Sequence, residues 1–138
     1  RNGSVKPGVM SMVDDGIVVW AATTGGLFTI DKKSLQVKLY STADASRLPS
    51  NQVRHILKLR NGDLWVACAQ GGVVKWNAPT GKFERLITPQ PIDGLSYANP
   101  WHMYEDHSGK VWVAYSGGGL VAMSADGKTV LNHYHSFN

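Results

Sequence analysis

Short apolar runs rich in Val, Ile, Leu and Trp alternate with glycine-containing turns along the whole chain. Branched and aromatic side chains favour a pleated, half-buried surface, and glycine supplies the turns between short strands. The pattern therefore predicts an all-β fold built from many short strands. The predicted strands cover residues 9–13, 17–22, 27–31, 35–40, 53–59, 64–68, 73–77, 82–87, 101–105, 111–115, 120–124 and 128–134.

Three segments, 15–27, 61–73 and 108–120, align without gaps around a pair of glycines. The repeat is 46 residues long between Gly25 and Gly71, and 47 between Gly71 and Gly118. Four strands per unit and a period in the forties are typical of a β-propeller blade. The sequence thus predicts an all-β fold, a β-propeller segment of three four-stranded antiparallel blades. This segment spans residues 1–138, with blades at about 5–43, 48–90 and 95–138.

Two features of the repeat predict how the blades are built. The paired glycines predict a sharp turn between strands, or a close approach of neighbouring backbone. In the gapless alignment Trp65 and Trp112 share one column, whereas the first unit has Val19 there and Trp20 one position later. We expect a tryptophan in this column to pack between neighbouring blades rather than to stack on a ligand.

Composition excludes several classes of protein. With 43% apolar and 17% charged residues, the chain is expected to fold as one compact domain. Its net charge of +4 is scattered and forms no basic stripe, which argues against nucleic-acid binding. The single cysteine, Cys68, cannot form an internal disulfide and is predicted to be a buried apolar side chain. No apolar stretch is long enough to span a membrane, and any export signal is expected outside this chain.

One stretch of the second unit carries a family resemblance. Leu48-Pro49-Ser50-Asn51 is followed by a strand, then by Gly62-Asp63-Leu64-Trp65-Val66 and the pair Gly71-Gly72. This order resembles the two-component-regulator propeller repeat. The third unit departs from it, with Leu95-Ser96-Tyr97-Ala98-Asn99 in place of the leader, and the first unit has almost no leader.

The resemblance implies a periplasmic sensor segment of a membrane-anchored bacterial signalling protein. Family members usually carry many such blades outside the membrane. A transmembrane helix then leads to a histidine kinase, hybrid kinase or diguanylate cyclase, and several members are thought to detect carbohydrates. The implied partner is a small molecule or oligosaccharide, and the implied contact with the membrane is made only by parts outside this chain. No enzyme activity is expected of the segment itself.

The connections between blades, residues 41–52 and 88–100, are long and share one face of the propeller with the paired-glycine turns. Long loops on a rigid scaffold are where binding residues gather. Aromatic faces suit the apolar surface of a sugar, and Arg, Asn and Gln suit its hydroxyls or carboxylates. The candidate ligand-binding residues on this face are Arg47, Asn51, Arg54, Gln70, Tyr97, Asn99, Trp101, His102 and Ser116.

Other polar pairs predict no chemistry. Arg54 and His55 are adjacent in a strand, so we expect them to point to opposite sides. His133 and His135 point to one side, but no further ligand completes a metal site. Glu105 and Asp106 are adjacent and so are not an acid–base pair for glycoside cleavage. No catalytic residue, metal or cofactor is therefore predicted.

Three blades do not close a propeller, which needs about four to eight. The sequence predicts either a fragment of a longer polypeptide or a ring completed by two chains, and in both cases self-association through open blade edges. Two further functions remain open. One is a protein-interaction scaffold or lectin-like propeller without signalling output, and the other is an enzyme acting on polysaccharide.

Overall fold

The computed structural model describes residues 7–135, and these residues form twelve β-strands and no helix. Each strand is four to six residues long, which is the usual length in globular proteins. The strands are β1 (Val9–Asp14), β2 (Val18–Thr23), β3 (Gly26–Asp31), β4 (Val37–Tyr40), β5 (Val53–Lys58), β6 (Leu64–Cys68), β7 (Gly72–Asn77), β8 (Lys82–Arg85), β9 (Pro100–Glu105), β10 (Val111–Tyr115), β11 (Gly119–Met123) and β12 (Val130–Tyr134).

The strands form three separate antiparallel sheets, in the orders β1-β2-β3-β4, β5-β6-β7-β8 and β9-β10-β11-β12. Each sheet is one blade, so the predicted all-β fold of three four-stranded antiparallel blades is confirmed. The first strands of successive blades, β1, β5 and β9, lie next to one another and are called the inner strands here. Residues 5, 6 and 136–138 of the predicted blade ranges lie outside the described residues.

The blades pack face to face, and the core consists of the two layers between them. The first layer joins Trp20, Leu27 and Tyr40 of the first blade to Ile56 and Val66 of the second. The second layer lies between the second and third blades and includes Leu59, Trp65, Met103, Val113 and Val121. No hydrogen-bonded strand pair joins two blades in the described residues. The blades are held together by the apolar side chains of these layers and by side-chain hydrogen bonds such as that between His55 and Met103.

The turn between β2 and β3 corrects the gapless alignment of the first unit. Thr23 pairs with Gly26 in the first blade, whereas Cys68 pairs with Gly72 in the second. The first turn is therefore one residue shorter, and Trp20 rather than Val19 is structurally equivalent to Trp65. The gapless alignment of β2 was wrong for this reason, and all three blades carry a tryptophan at the same site.

Only two of the three equivalent tryptophans are covered by a neighbouring blade. Trp65 is buried in the second layer, as predicted for its column, and Trp20, which the gapless alignment placed outside that column, is buried in the first layer. Trp112 lies on the outward face of the third blade, half-buried, with its ring 6.1 Å from that of Tyr134. The tryptophan position is therefore covered by the next blade in the first and second blades and uncovered in the third.

Both explanations for the paired glycines are correct: the second glycine has a positive φ, and neighbouring atoms approach both glycines closely. Gly72 has a φ of 78°, a left-handed conformation that closes the turn. A Cβ on Gly71 would lie 3.0 Å from the side chain of Pro49, and one on Gly118 would lie 2.2 Å from the carbonyl oxygen of Ser96. The first glycine thus lets the connection before each blade lie against the turn.

The surfaces left uncovered at the two ends are sheet faces rather than strand edges, because the blades pack face to face. On the first blade, Met12, Ala21, Phe28 and Leu39 form one apolar row across the four strands. On the third blade, the outward face carries exposed Tyr104 and Tyr134 beside Trp112.

Candidate functional site

Each inner strand contains a β-bulge close to its start, and the three extra residues are Met10, Arg54 and Trp101. In β5, for example, Arg54 is inserted between the Val53–Cys68 and His55–Ala67 pairs. A bulge redirects a side chain away from the normal alternation of the strand. The bulges lie at the end of the blades that carries the paired-glycine turns and the long connections, called here the glycine-turn face.

Arg54 and Trp101 lie in contact across the boundary between the second and third blades. The guanidinium carbon of Arg54 is 3.7 Å from the centre of the Trp101 ring, which is a close cation–π contact. The Nη1 atom of Arg54 also donates a hydrogen bond to the Oδ1 atom of Asn99. The Trp101 side chain remains 49% exposed, so a large apolar ring surface faces solvent beside a fixed cation.

Asn99 connects this pair to the two glycine turns. Its Oδ1 atom also lies 3.4 Å from the backbone nitrogen of Gln70, and its carbonyl oxygen accepts the N–H of Ser116 at 2.9 Å. The positive φ of Gln70, 60°, places this residue at the tip of its turn. One asparagine thus holds Arg54 and the backbone of both turns in fixed positions.

His55 and His102 lie beside the pair, with ring centres 4.1 Å apart. The Nδ1 atom of His55 accepts the backbone N–H of Met103 at 3.2 Å. Burial, together with the nearby His102, lowers the pKa of His55 to about 4. Because the bulge at Arg54 breaks the alternation, Arg54 and His55 both contact the third blade, and the expectation that they point to opposite sides was wrong.

The structure separates the predicted site residues into two groups. Arg54, Gln70, Asn99, Trp101 and His102 lie together and are called the rim site, and Ser116 joins them through its backbone. The other three predicted residues make contacts outside the rim site.

Tyr97 turns toward the outer strand, where its ring is 5.3 Å from that of His133. Asn51 accepts the backbone N–H of Thr42 at 2.8 Å, within its own connection. Arg47, with a φ of 65°, lines a shallow groove with Phe83 and Arg85.

Sequence reasoning omitted three residues of this face. Met10 and His55 are placed here by the bulges, and the regular alternation assumed for a strand does not anticipate an inserted residue. Arg85, at the end of β8, donates from Nη1 to the carbonyl oxygen of Gly71 at 2.9 Å. Its position just before a long connection was a usable signal, since long connections define this face.

Several polar groups outside the rim site have structural roles. Asp106 accepts turn N–H groups and the indole N–H of Trp112, at 2.9 Å, and Glu105 accepts the N–H of Arg60 at 2.8 Å. Burial raises the pKa of Cys68 to about 12, which makes it a poor nucleophile at neutral pH. Within residues 7–135, no three His, Cys, Asp or Glu side chains lie close enough to hold a metal ion. The described residues also contain no long apolar helix of the kind that crosses a membrane.

Comparison with known families identifies the repeat. Residues 47–70 match the family described as two component regulator propeller. This range includes the Leu48-Pro49-Ser50-Asn51 leader, the inner strand β5 and Trp65 of β6, so the resemblance based on these residues is confirmed. Over these residues the chain is similar to the repeat of this propeller family. No curated protein matches the sequence.

Solved structures share the arrangement of the blades. Two are extracellular domains of proteins from B. thetaiotaomicron that are assigned as hybrid two component systems. They are 22% and 25% identical to this chain, with TM-scores of 0.78 and 0.73, over 92% and 95% of its length. A streptogramin B lyase is 23% identical, with a TM-score of 0.65, over 96% of this chain and 41% of the lyase. This chain spans 17% and 19% of the length of the two extracellular domains.

Proposed function

We propose that this propeller segment belongs to the extracellular sensor domain of a bacterial signalling protein, and that the rim site binds its ligand, an oligosaccharide. The repeat at residues 47–70 and the likeness to two extracellular domains of hybrid two component systems support the sensor assignment. The same likeness supports a location outside the cytoplasm. In this proposal the remaining blades, the membrane anchor and the output domain belong to other parts of a longer protein.

The contact between Arg54 and Trp101 is the observation that carries the proposed site. An exposed aromatic ring offers the apolar C–H face of a sugar a flat partner, and the neighbouring Arg54, Gln70 and Asn99 offer polar groups to its hydroxyls. The groups are held in place before any ligand arrives, because Asn99 bonds Arg54 and the backbone of both turns. Preorganisation of this kind lowers the entropic cost of binding.

The likeness to the streptogramin B lyase is a likeness of fold alone. The rim site contains no carboxylate, whereas glycoside hydrolysis uses a pair of carboxylates. Binding without turnover is therefore the function that this arrangement favours.

A glycan array tests the proposal directly. The full chain is labelled and applied to an array of plant and animal oligosaccharides, together with a Trp101→Ala variant and a Tyr104→Ala variant. Tyr104 is the matched control, because it is also an exposed aromatic residue of β9 but lies on the outward face of the third blade. We expect Trp101→Ala to weaken binding to the recognised glycans by about tenfold or more, equivalent to about 1.4 kcal/mol, and Tyr104→Ala to leave it unchanged.

Two results would contradict the proposal. One is the absence of binding to any glycan on the array by folded wild-type chain. The other is equal binding by the wild type and Trp101→Ala, which would place the recognised glycan elsewhere on the molecule.

A further inference from the structure

The charges of the described residues are divided unequally between the two faces of the propeller segment. Among the carboxylates, only Asp44 and Asp93 lie in the connections on the glycine-turn face. Glu84 lies within β8, where it lines the groove of Arg47 and Arg85, but its carboxylate accepts a hydrogen bond from Asn77 Nδ2 at 3.0 Å. The others lie in or beside the turns of the opposite face, at Asp14, Asp15, Asp31, Asp63, Glu105, Asp106 and Asp126. Asp44 is already occupied, since its carboxylate accepts the backbone N–H groups of Ser41 and Ser46 at 3.0 and 2.8 Å. The glycine-turn face therefore has few free negative groups.

The two faces also carry different cations. The glycine-turn face carries Arg47, Arg54 and Arg85, whereas the turns of the opposite face carry most of the lysines together with Arg60. Three cations of the opposite face are ion-paired, Lys32 with Asp14 at 2.9 Å, Lys75 with Asp63 at 3.2 Å and Arg60 with Glu105 at 3.9 Å. None of the three arginines has a carboxylate partner among the described residues. The excess positive charge of this face is thus carried by guanidinium groups without counter-ions.

Arg54 is held in a position from which its guanidinium group can bind an oxyanion. Its contact with the Trp101 ring and its bond to Asn99 fix the guanidinium. The Asn99 bond occupies Nη1, and the guanidinium makes no other hydrogen bond in the part of the chain that the structure describes. A planar guanidinium with free N–H groups matches a carboxylate better than an ammonium does, because it can donate two parallel hydrogen bonds.

From these observations we propose that the rim site takes an acidic oligosaccharide, in which one sugar ring stacks on the exposed face of Trp101 and a carboxylate of that sugar or its neighbour binds Arg54. The inference rests on the proposed function, that the rim site binds a saccharide, and adds the chemical class of that saccharide. A uronic acid provides both parts, an apolar ring face and a carboxylate that is ionised at neutral pH. Arg85 and Arg47 add to the positive potential that attracts such a ligand.

Removing the charge of the ligand while keeping its ring is the sharpest test. Binding of the full chain is measured by calorimetry with two uronate probes, trigalacturonate and a hyaluronan tetrasaccharide, and with the methyl ester of each. We expect at least one acid to bind about tenfold or more tightly than its ester, and its affinity to fall as NaCl is raised. The same titrations are run with Arg54→Gln, with Arg54→Lys and with Lys33→Gln, which removes one charge from a turn of the opposite face.

The variants separate a specific contact from general charge attraction. Arg54→Gln should abolish the preference for the acid over the ester, Arg54→Lys should restore part of it, and Lys33→Gln should preserve it. Equal binding of acid and ester, or a preference unchanged in Arg54→Gln, would overturn the inference. If neither acid binds but the glycan array shows neutral saccharides bound through Trp101, the inference fails while the proposed function stands. If no saccharide binds at all, both fail.

Discussion

The Nδ1 atom of His55 accepts the backbone N–H of Met103 at 3.2 Å, and this bond joins the inner strands of the second and third blades. Ser11 occupies the equivalent position on the first blade, where its hydroxyl lies 3.4 Å from the backbone nitrogen of Ile56. Among residues 7–135, each inner strand is the edge of its sheet and pairs with only one strand, so a side chain of one blade supplies a partner for the amide of the next. His102 holds the same position on the third blade.

The bond from Met103 predicts that acid weakens the packing of the second and third blades. His55 has a pKa of about 4 in the folded chain, because of burial and the neighbouring His102, against about 6.5 for an ordinary histidine. Above pH 6.5 the residue is neutral in both folded and unfolded chains. As the pH falls from 6.5 to 4, the unfolded chain takes up a proton that the folded chain does not, so stability decreases.

Thermal unfolding measured between pH 7 and pH 4.5 tests this expectation. We expect the melting temperature to fall across this range for the wild type and to fall less for His55→Asn. The Oδ1 atom of asparagine can accept the Met103 N–H without titrating. An equal decrease in both proteins would show that other groups control the acid response.

The hydrogen bond between Asp106 and Trp112 predicts a coupled contribution to stability. The hydrogen bond from the Trp112 indole contributes most to holding the pKa of Asp106 well below its usual range, and the bond from Ser108 contributes next. The ionised carboxylate therefore stabilises the fold at neutral pH, and this stabilisation is lost in acid. We expect Asp106→Asn to lower the urea midpoint of unfolding. In a Trp112→Phe background the same change should cost less, since the indole partner is already gone. Additive effects of the two changes would contradict the role given to this bond.

The bond between aspartate and tryptophan is present in the first and third blades and absent from the second. Asp15 makes the equivalent bond to Trp20 at 3.0 Å, but the second blade has Leu59 in place of the aspartate. The buried Nε1 atom of Trp65 has no hydrogen-bond partner in the described residues. The second blade instead buries Leu59 against the third, which exchanges a hydrogen bond for apolar contact.

Two glycines should tolerate a methyl group to different degrees. Gly118→Ala would place a Cβ 2.2 Å from the carbonyl oxygen of Ser96, so the connection before β9 would have to move. Gly109 has a φ of 89° and open space around it, so alanine there costs backbone strain alone. We expect losses of about 2 kcal/mol or more for Gly118→Ala and about 1 kcal/mol for Gly109→Ala, measured by urea unfolding. A smaller loss at Gly118 than at Gly109 would refute the close approach.

The isolated chain should self-associate through its two uncovered faces. Met12 is 64% exposed on the face of the first blade, and Tyr134 is 45% exposed on that of the third. We expect Met12→Glu and Tyr134→Glu each to shift the chain toward monomer in sedimentation velocity experiments, because a charge opposes burial of these faces. Leu35→Glu is the control, since Leu35 is 70% exposed in a turn outside both faces. A monomeric wild type would contradict the expectation.

The fold could be predicted from the sequence because each blade repeats the same strand and turn signals, and three copies reinforce one another. The errors arose where a single residue was added or removed. The turn shortened by one residue between Thr23 and Gly26 displaced Trp20 from its column. The bulge at Arg54 brought this residue and His55 to the same neighbouring blade.

The candidate site was predicted in outline for a related reason. The long connections and glycine turns identify the face, so Arg54, Gln70, Asn99 and Trp101 were all proposed from the sequence. Which of these residues meet depends on contacts across blades. Arg54 and Trp101, for example, are in contact although they lie 47 residues apart in the chain. The order of apolar and polar residues within one strand does not indicate which residues of another blade it will contact.

Binding at the rim site is the central claim, and a two-dimensional ¹H–¹⁵N NMR titration tests it most directly. The labelled chain is titrated with the saccharide that binds most tightly on the glycan array. We expect the largest shifts at the backbone amides of Arg54, Gln70, Asn99 and His102 and at the indole N–H of Trp101. Shifts confined to the opposite face, or to the outward face of the third blade, would contradict the account.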